Sequence, residues 1–124
     1  MTDACIRFER VTKHFGSVVA LGGLSMQVPR GSIFGLLGPN GAGKTTSLSL
    51  ALGYLRPTSG GIEIFGRSPR EVHRLKGRVT ALPQDALLTP HVSVVDHLIY
   101  FARLQGISRQ KAPNEARRAL DMVG

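Results

Sequence analysis

The chain has 124 residues, 42% of them hydrophobic, and this length and composition fit one small folded domain rather than a disordered segment. Its net charge of +8 comes from sixteen basic residues that are spread along the chain without a dense run, which argues against a nucleic-acid-binding module. The single Cys5 excludes an intramolecular disulfide and is typical of a protein of the reducing cytoplasm.

The first part of the chain has the residue pattern of β-strands. Residues 5–11 and 24–28 alternate apolar and polar side chains, as strands with one buried face do. The continuous apolar run at 32–38 is typical of a strand buried on both faces. Residues 61–66 alternate again, and residues 79–83 predict a further strand.

Helical patterns lie between and after these strands. Leucines at helical spacing predict a helix that follows residue 44 and ends between Tyr54 and Arg56, ahead of Pro57. The run Ser68-Pro69-Arg70-Glu71 combines an N-cap, a first-turn proline and a following glutamate, and predicts a short helix that closes at Gly77. Two more helices are predicted, one opened by Ser93 to Asp96 with Val94, Leu98 and Phe101 on one face, and one from Pro113 to Val123 with Gly124 as its C-cap.

This order of elements predicts an α/β layer fold. A strand, a glycine loop and a helix follow one another directly, and strands and helices alternate after them. The strands before Gly31 and around Gly61 are expected to form a smaller antiparallel side sheet. No internal repeat and no low-complexity linker interrupts the chain, so we expect one unit without a domain boundary.

The strongest motif is a glycine-rich loop between a predicted strand and a predicted helix. Residues 38–45 read GPNGAGKT and satisfy the pattern G-x-x-x-x-G-K-[ST]. Glycines let the backbone turn back and direct successive N–H groups inward, which forms a cradle for an anion. The following helix adds its unpaired N–H groups and the positive end of its dipole at the same place.

The residues that end the loop have the types needed for a nucleoside triphosphate. The side chain of Lys44 is long enough to bring a positive charge to the β- and γ-phosphates. The hydroxyl of Thr45 is a ligand for Mg²⁺, and Thr46 can support the α-phosphate. The sequence therefore predicts a nucleotide site with Mg²⁺, in a kinase, GTPase, helicase or transport ATPase, whose loop residues are Gly38, Pro39, Asn40, Gly41, Ala42, Gly43, Lys44, Thr45 and Thr46.

Three segments resemble the ATP-binding domain of ABC transporters. They are FGLLGPNGAGKTT around the loop, LRPTSGGIEIFG after the first helix, and ALPQDALLTPHVSVVDHLIYFARLQG, and the resemblance extends over essentially the whole chain. It implies a P-loop NTPase core with a small antiparallel β subdomain, incomplete at the C-terminal side. Residues 1–124 would then form a single partial ATP-binding domain, with the signature and Walker B portion absent.

The resemblance also implies roles for residues outside the loop. Phe15 occupies the position of the aromatic residue that stacks on adenine, and Val19 would line the adenine from the side. Gln84 occupies the position whose amide meets Mg²⁺ and the attacking water. The implied partners are a transmembrane permease subunit and a second ATP-binding subunit, for export or import, and the implied location is cytoplasmic, peripheral at the inner face of the cell membrane.

The family's remaining motifs are not found in these residues. The LSGGQ signature, the apolar strand ending in Asp-Glu and the switch histidine are missing, and the sequence contains no adjacent acidic pair. We therefore expect Mg-ATP to be bound and oriented, but not hydrolysed efficiently, because no carboxylate is placed to activate water. Loss of the strand that would lie beside residues 33–37 predicts an exposed apolar sheet edge and an aggregation-prone fold.

Three other hypotheses remain at this point. The chain could be a non-hydrolysing remnant that binds nucleotide or a membrane partner. It could be a P-loop small-molecule kinase, with the arginines of residues 67–78 serving as a lid. A basic nucleic-acid module is the least favoured, since basic and aromatic residues are not interleaved.

Overall fold

A computed structural model describes residues 3–84 and 88–124. The chain forms two compact units, Met1–Arg74 and Leu75–Gly124, which are considered separately. The interpretation of the whole chain as one partial ATP-binding domain stays a prediction.

The first unit contains the antiparallel sheet that the sequence predicts. Strands β1 (Ala4–Phe15), β2 (Val18–Pro29) and β3 (Ser59–Ile64) pair in the order β2-β1-β3, with both pairings antiparallel. Burial of one sheet face against helix α1 (Lys44–Ala51) explains the alternating pattern, because side chains of a strand point to opposite faces in turn. The core of this unit consists of Phe8, Val11, Leu21, Leu50, Ala51, Ile62 and Ile64.

The pairing of β1 with β3 requires a glycine at position 60. Gly60 has φ +85°, and a Cβ atom there would lie 2.6 Å from both the Glu9 carbonyl oxygen and the Val11 Cα. On the facing strand, Arg10 has a positive φ of 47°, and the register shifts between Glu9 and Thr12. The two strands therefore pair at a β-bulge, where the missing side chain allows the two backbones to come close together.

Helix α1 ends earlier than its leucine spacing predicts. It stops at Ala51, where a helix to between Tyr54 and Arg56 was expected. Gly53 takes φ +75°, its N–H donates to the Leu50 carbonyl (3.1 Å), and the Tyr54 N–H donates to the Ser49 carbonyl (2.9 Å). This pair of bonds around a left-handed glycine is a Schellman motif, which ends a helix regardless of the leucines beyond it.

Two predicted strands do not form. Residues 32–38 and 79–83 have no regular secondary structure, and the side chains of Ile33 and Leu37 are 105% and 92% exposed. The prediction of strands was wrong because a strand needs a neighbouring backbone for its hydrogen bonds, whatever its side chains. No part of residues 3–84 or 88–124 pairs with either segment.

The short helix predicted at 68–77 is a 3₁₀ helix at Pro69–Leu75. Ser68 starts it as expected, since its carbonyl accepts from the Glu71 N–H (2.8 Å) and its hydroxyl from the Arg70 N–H (3.3 Å). Arg74 and Arg67 both bind Glu71 through their guanidinium groups, at 2.8 and 4.0 Å.

The second unit contains a pair of helices, and both were predicted from the sequence. Helix α2 (Val94–Leu104) begins at Ser93, whose hydroxyl accepts from the Asp96 N–H (3.1 Å) and donates to the Asp96 carboxylate (2.6 Å). Helix α3 (Ala112–Val123) has Pro113 in its first turn and packs on α2. Within the described part of the chain, no helix has the length and apolar character needed to cross a membrane.

Candidate functional site

The glycine-rich loop of the motif at residues 38–45 leads directly into helix α1. Gly41 and Gly43 have left-handed backbones (φ 84° and 88°), and Gly43 is the N-cap of the helix. No side chain caps this helix, so its first-turn N–H groups point out of the helix toward the loop. Backbone donors together with the positive end of the helix dipole form a site for an anionic group.

The loop is fixed against strand β2 at its last glycine. A Cβ atom on Gly43 would lie 2.6 Å from Leu21 Cδ2 and 2.7 Å from the Ala20 carbonyl oxygen. Any larger residue would push the helix start away from the sheet. Gly38 is the other tight position, since a Cβ there would meet the Ala42 methyl at 3.1 Å.

The ammonium group of Lys44 lies across the loop. Its Nζ donates to the carbonyl oxygens of Gly38 (2.6 Å) and Pro39 (2.7 Å), which are the first two residues of the motif. The charge is thus held within the loop on neutral acceptors. A phosphate oxygen would be a stronger acceptor for the same ammonium, because it carries a negative charge that a carbonyl oxygen lacks.

Ser47 is part of this site although the motif does not include it. It is 2% exposed, and its hydroxyl donates to the Gly43 carbonyl (2.8 Å), which also accepts from the Ser47 N–H (2.8 Å). Both bonds tie the end of the loop to the first turn of α1. Its position four residues after the last loop glycine, on the buried face of the helix, is the signal that could have identified it.

The two threonines after the lysine lie in the first turn of α1. Thr45 is exposed, and Thr46 is half-buried. In residues 3–84 and 88–124, no three His, Cys, Asp or Glu side chains are grouped so that they could hold a metal ion. A single hydroxyl such as that of Thr45 fits Mg²⁺, which usually keeps several waters and takes its other ligands from substrate phosphates.

Phe15 lies at the tip of the β1–β2 hairpin. It pairs with Val18, its ring is 47% exposed, and the neighbouring Val19 is 57% exposed. Strand β2 then continues to Ala20 and Leu21, whose atoms line the Gly43 position. Three residues of strand span about 10 Å. Phe15 ends β1 and its partner Val18 begins β2, so the hairpin joins the exposed aromatic ring to the loop.

Gln84, the remaining predicted site residue, is exposed and lies in the second unit, at the end of the first described range. Its predicted role toward Mg²⁺ and water stays a prediction, as do the roles of Phe15, Val19, Thr45, Thr46 and the loop residues. The residues directly after it, 85–87, lie outside the described part of the chain.

Comparison with known proteins agrees with the resemblance. The family model described as ABC transporter matches residues 21–124. The chain is 42% identical over 109 residues to the Nod factor export ATP-binding protein I of Paraburkholderia xenovorans, an alignment that covers 87% of this chain and 36% of that protein.

Solved structures give the same result for the fold. The structure of an ATP-binding subunit of an ABC transporter matches with a TM-score of 0.76 at 23% identity, covering 86% of this chain and 45% of that one. An ATP-binding cassette of an ABC transporter in its ADP conformation matches with a TM-score of 0.54 at 30% identity, covering 60% and 32%. These matches confirm the predicted fold, a partial P-loop NTPase domain with a small antiparallel sheet.

The chain belongs to the ABC transporter family of ATP-binding proteins. It spans about a third of the length of the curated relatives it matches. Family membership removes the small-molecule kinase and the nucleic-acid module as explanations of the motif. It is also consistent with the binding of Arg67 and Arg74 to Glu71, which occupies two arginines of the supposed kinase lid.

Proposed function

We propose that this chain is the phosphate-binding part of the ATP-binding subunit of an ABC transporter, in which ATP drives export or import through a separate membrane subunit. The observation that supports it is the uncapped start of α1 behind the loop, with the Lys44 ammonium lying across that loop. The export function in the name of one relative and the ADP conformation of one structural neighbour point the same way.

The adenine, the phosphates and Mg²⁺ each have a matching group in the first unit. The exposed ring of Phe15, with Val19 beside it, would stack on adenine, and the loop N–H groups with Lys44 would hold the phosphates. Thr46 would contact the α-phosphate, and Thr45 would hold Mg²⁺. When bound, Mg²⁺ neutralises charge on the phosphate oxygens.

These residues bind and orient ATP, and we assign water activation to groups outside them. The sequence has no adjacent acidic pair, and Gln84 has an amide that can position a water but cannot take its proton. In the working transporter we expect a permease subunit and a second ATP-binding subunit as partners, at the cytoplasmic face of the membrane. A non-hydrolysing remnant would bind Mg-ATP through the same residues and would differ only in lacking turnover.

Titration with Mg-ATP tests the binding proposal directly. Substitution of Lys44→Ala should weaken binding about 100-fold, because it removes a charged donor to two phosphates. Lys76→Ala is the matched control, since it removes an equal charge from an exposed site in the second unit and should leave the Kd unchanged. Equal affinity of the Lys44→Ala variant and the unsubstituted chain would refute the proposal.

Magnesium dependence tests the role of Thr45. The unsubstituted chain should bind ATP more weakly after Mg²⁺ is removed with EDTA, whereas Thr45→Val should bind equally with and without Mg²⁺. Thr45→Ser keeps the hydroxyl and should keep the dependence. A Thr45→Val variant that still responds fully to Mg²⁺ would show that the metal is held elsewhere.

A further inference from the structure

We propose that Lys13 is a positioning residue for Phe15: it holds the ring and covers one of its faces, so that an adenine base stacks on the other face. The inference rests on the proposed function, because it concerns the base of the bound nucleotide. The Lys13 Nζ lies 4.9 Å from the centroid of the Phe15 ring, within the range of a cation–π interaction.

The ammonium group of Lys13 has a second, fixed partner. It donates to the Arg56 carbonyl oxygen at 2.8 Å. An exposed lysine normally has several rotamers available, but these two contacts together restrict the position of the ammonium. Lys13 therefore connects the Phe15 ring to the backbone of the segment before β3.

Residues 56–59, which end with the first residue of β3, hydrogen-bond to the end of β1 at several other points. The Thr58 N–H donates to the Thr12 carbonyl (2.8 Å), and the Thr58 hydroxyl accepts from the His14 N–H (3.0 Å). The hydroxyls of Thr12 and Ser59 are hydrogen-bonded at 2.7 Å. The backbone beneath Phe15 is thus held, and Lys13 extends the same attachment to the ring.

This arrangement affects nucleotide binding because the Phe15 ring has two faces and the Lys13 ammonium covers one of them. An aromatic ring that is half exposed at a hairpin tip loses conformational freedom when a base stacks on it. A cation on its far face restrains the ring beforehand and leaves a single surface for the base. The advantage appears only for ligands that contain a base, and it is absent for a phosphate chain alone.

The experiment compares two ligands, Mg-ATP and Mg-tripolyphosphate, by titration calorimetry on the full chain. Lys13→Met keeps the aliphatic stem and removes the charge, and should weaken Mg-ATP binding about three- to ten-fold. Binding of Mg-tripolyphosphate should stay within about two-fold, which also shows that the loop is folded. Lys13→Arg keeps a cation and a donor and should restore Mg-ATP binding, and Lys76→Met controls for the lost charge.

A second background isolates the ring. In Phe15→Leu the stacking surface is gone, and adding Lys13→Met should produce no further loss of Mg-ATP affinity. Additive losses, equal losses for both ligands, or no loss for Mg-ATP would each overturn the role of Lys13 while leaving nucleotide binding intact. Failure of the unsubstituted chain to bind either ligand would overturn the proposed function, and the inference with it.

Discussion

Residues 59–64 (SGGIEI) and residues 33–37 (IFGLL) lie in the same unit and both contain apolar residues typical of strands, but their surroundings differ. Residues 59–64 form β3 and hydrogen-bond to β1, and Ile64 is 2% exposed. Residues 33–37 have no strand beside them in the described ranges, and Ile33 is fully exposed. The side chains of both segments favour burial, so the difference lies in the available backbone partners.

This difference shows which part of the site is held by tertiary structure. The hairpin that carries Phe15 belongs to the sheet, and Gly43 packs on the same sheet through Ala20 and Leu21. The residues that enter the loop from the other side, 33–37, have no such support in the described chain. We therefore expect mutations in the sheet to affect folding and the same mutations in residues 33–37 to have little effect.

The largest expected effect comes from truncating the same residue type in both segments. Ile64→Ala removes a buried side chain from the core and should reduce the free energy of unfolding by about 2–5 kcal/mol. Ile33→Ala should change it by less than about 0.5 kcal/mol, because the side chain is exposed. Urea unfolding followed by circular dichroism measures both, and equal losses would show that residues 33–37 are buried in solution.

A smaller effect on the free energy of unfolding is expected from adding a methyl group at the bulge where β1 and β3 pair closely. Gly60→Ala combines a left-handed backbone with a Cβ atom 2.6 Å from the Val11 Cα, and should destabilise the sheet by about 2–3 kcal/mol. Gly61→Ala is the control, since no atom lies within 4 Å of its Cβ position. Equal shifts of the melting temperature for the two variants would contradict the close approach of the two backbones at Gly60.

Helix α2 differs from both segments, because a helix forms its backbone hydrogen bonds within itself. Ser93→Ala removes the acceptor for the Asp96 N–H and should cost about 1 kcal/mol in the free energy of unfolding. Ser93→Asn supplies another side-chain oxygen at the cap and should stay near the unsubstituted value. Loss of helical signal on heating, recorded for both variants, tests this. An unchanged Ser93→Ala variant would show that the cap is not formed.

The smallest effect on folding, but a clear one on association, is expected at Ile33. Ile33→Lys places a charge on an exposed apolar run and should raise the concentration at which the chain stays monomeric, without changing its unfolding free energy by more than about 0.5 kcal/mol. Met122→Lys adds the same charge at another exposed site, 80% accessible, and should have less effect. Gel filtration of the unsubstituted chain as a sharp monomer, together with a cooperative melt, would contradict the prediction of aggregation.

The sequence predicted local backbone features more completely than it predicted the extent of the elements. The motif at 38–45 depends on local backbone geometry, and Gly41 and Gly43 have the left-handed conformations that it requires. Caps are local as well, so the starts of α2 and α3 could be predicted from Ser93 and Pro113. The end of α1 was missed, because Gly53 terminates the helix while the leucines on either side of it continue the periodicity.

Alternating side chains and local motifs by themselves determined the strand character of the sheet segments, the loop and the helix starts, since each depends on residues close together in sequence. Only the tertiary structure decided which strand-like segments pair, why Gly60 must be a glycine, and that Lys13 lies over the Phe15 ring. The strand pairing and the Gly60 contact join residues that are far apart in the chain, and the position of Lys13 depends on the distant Arg56 carbonyl. Their energies depend on the position of a second backbone or side chain, which a sequence pattern does not specify.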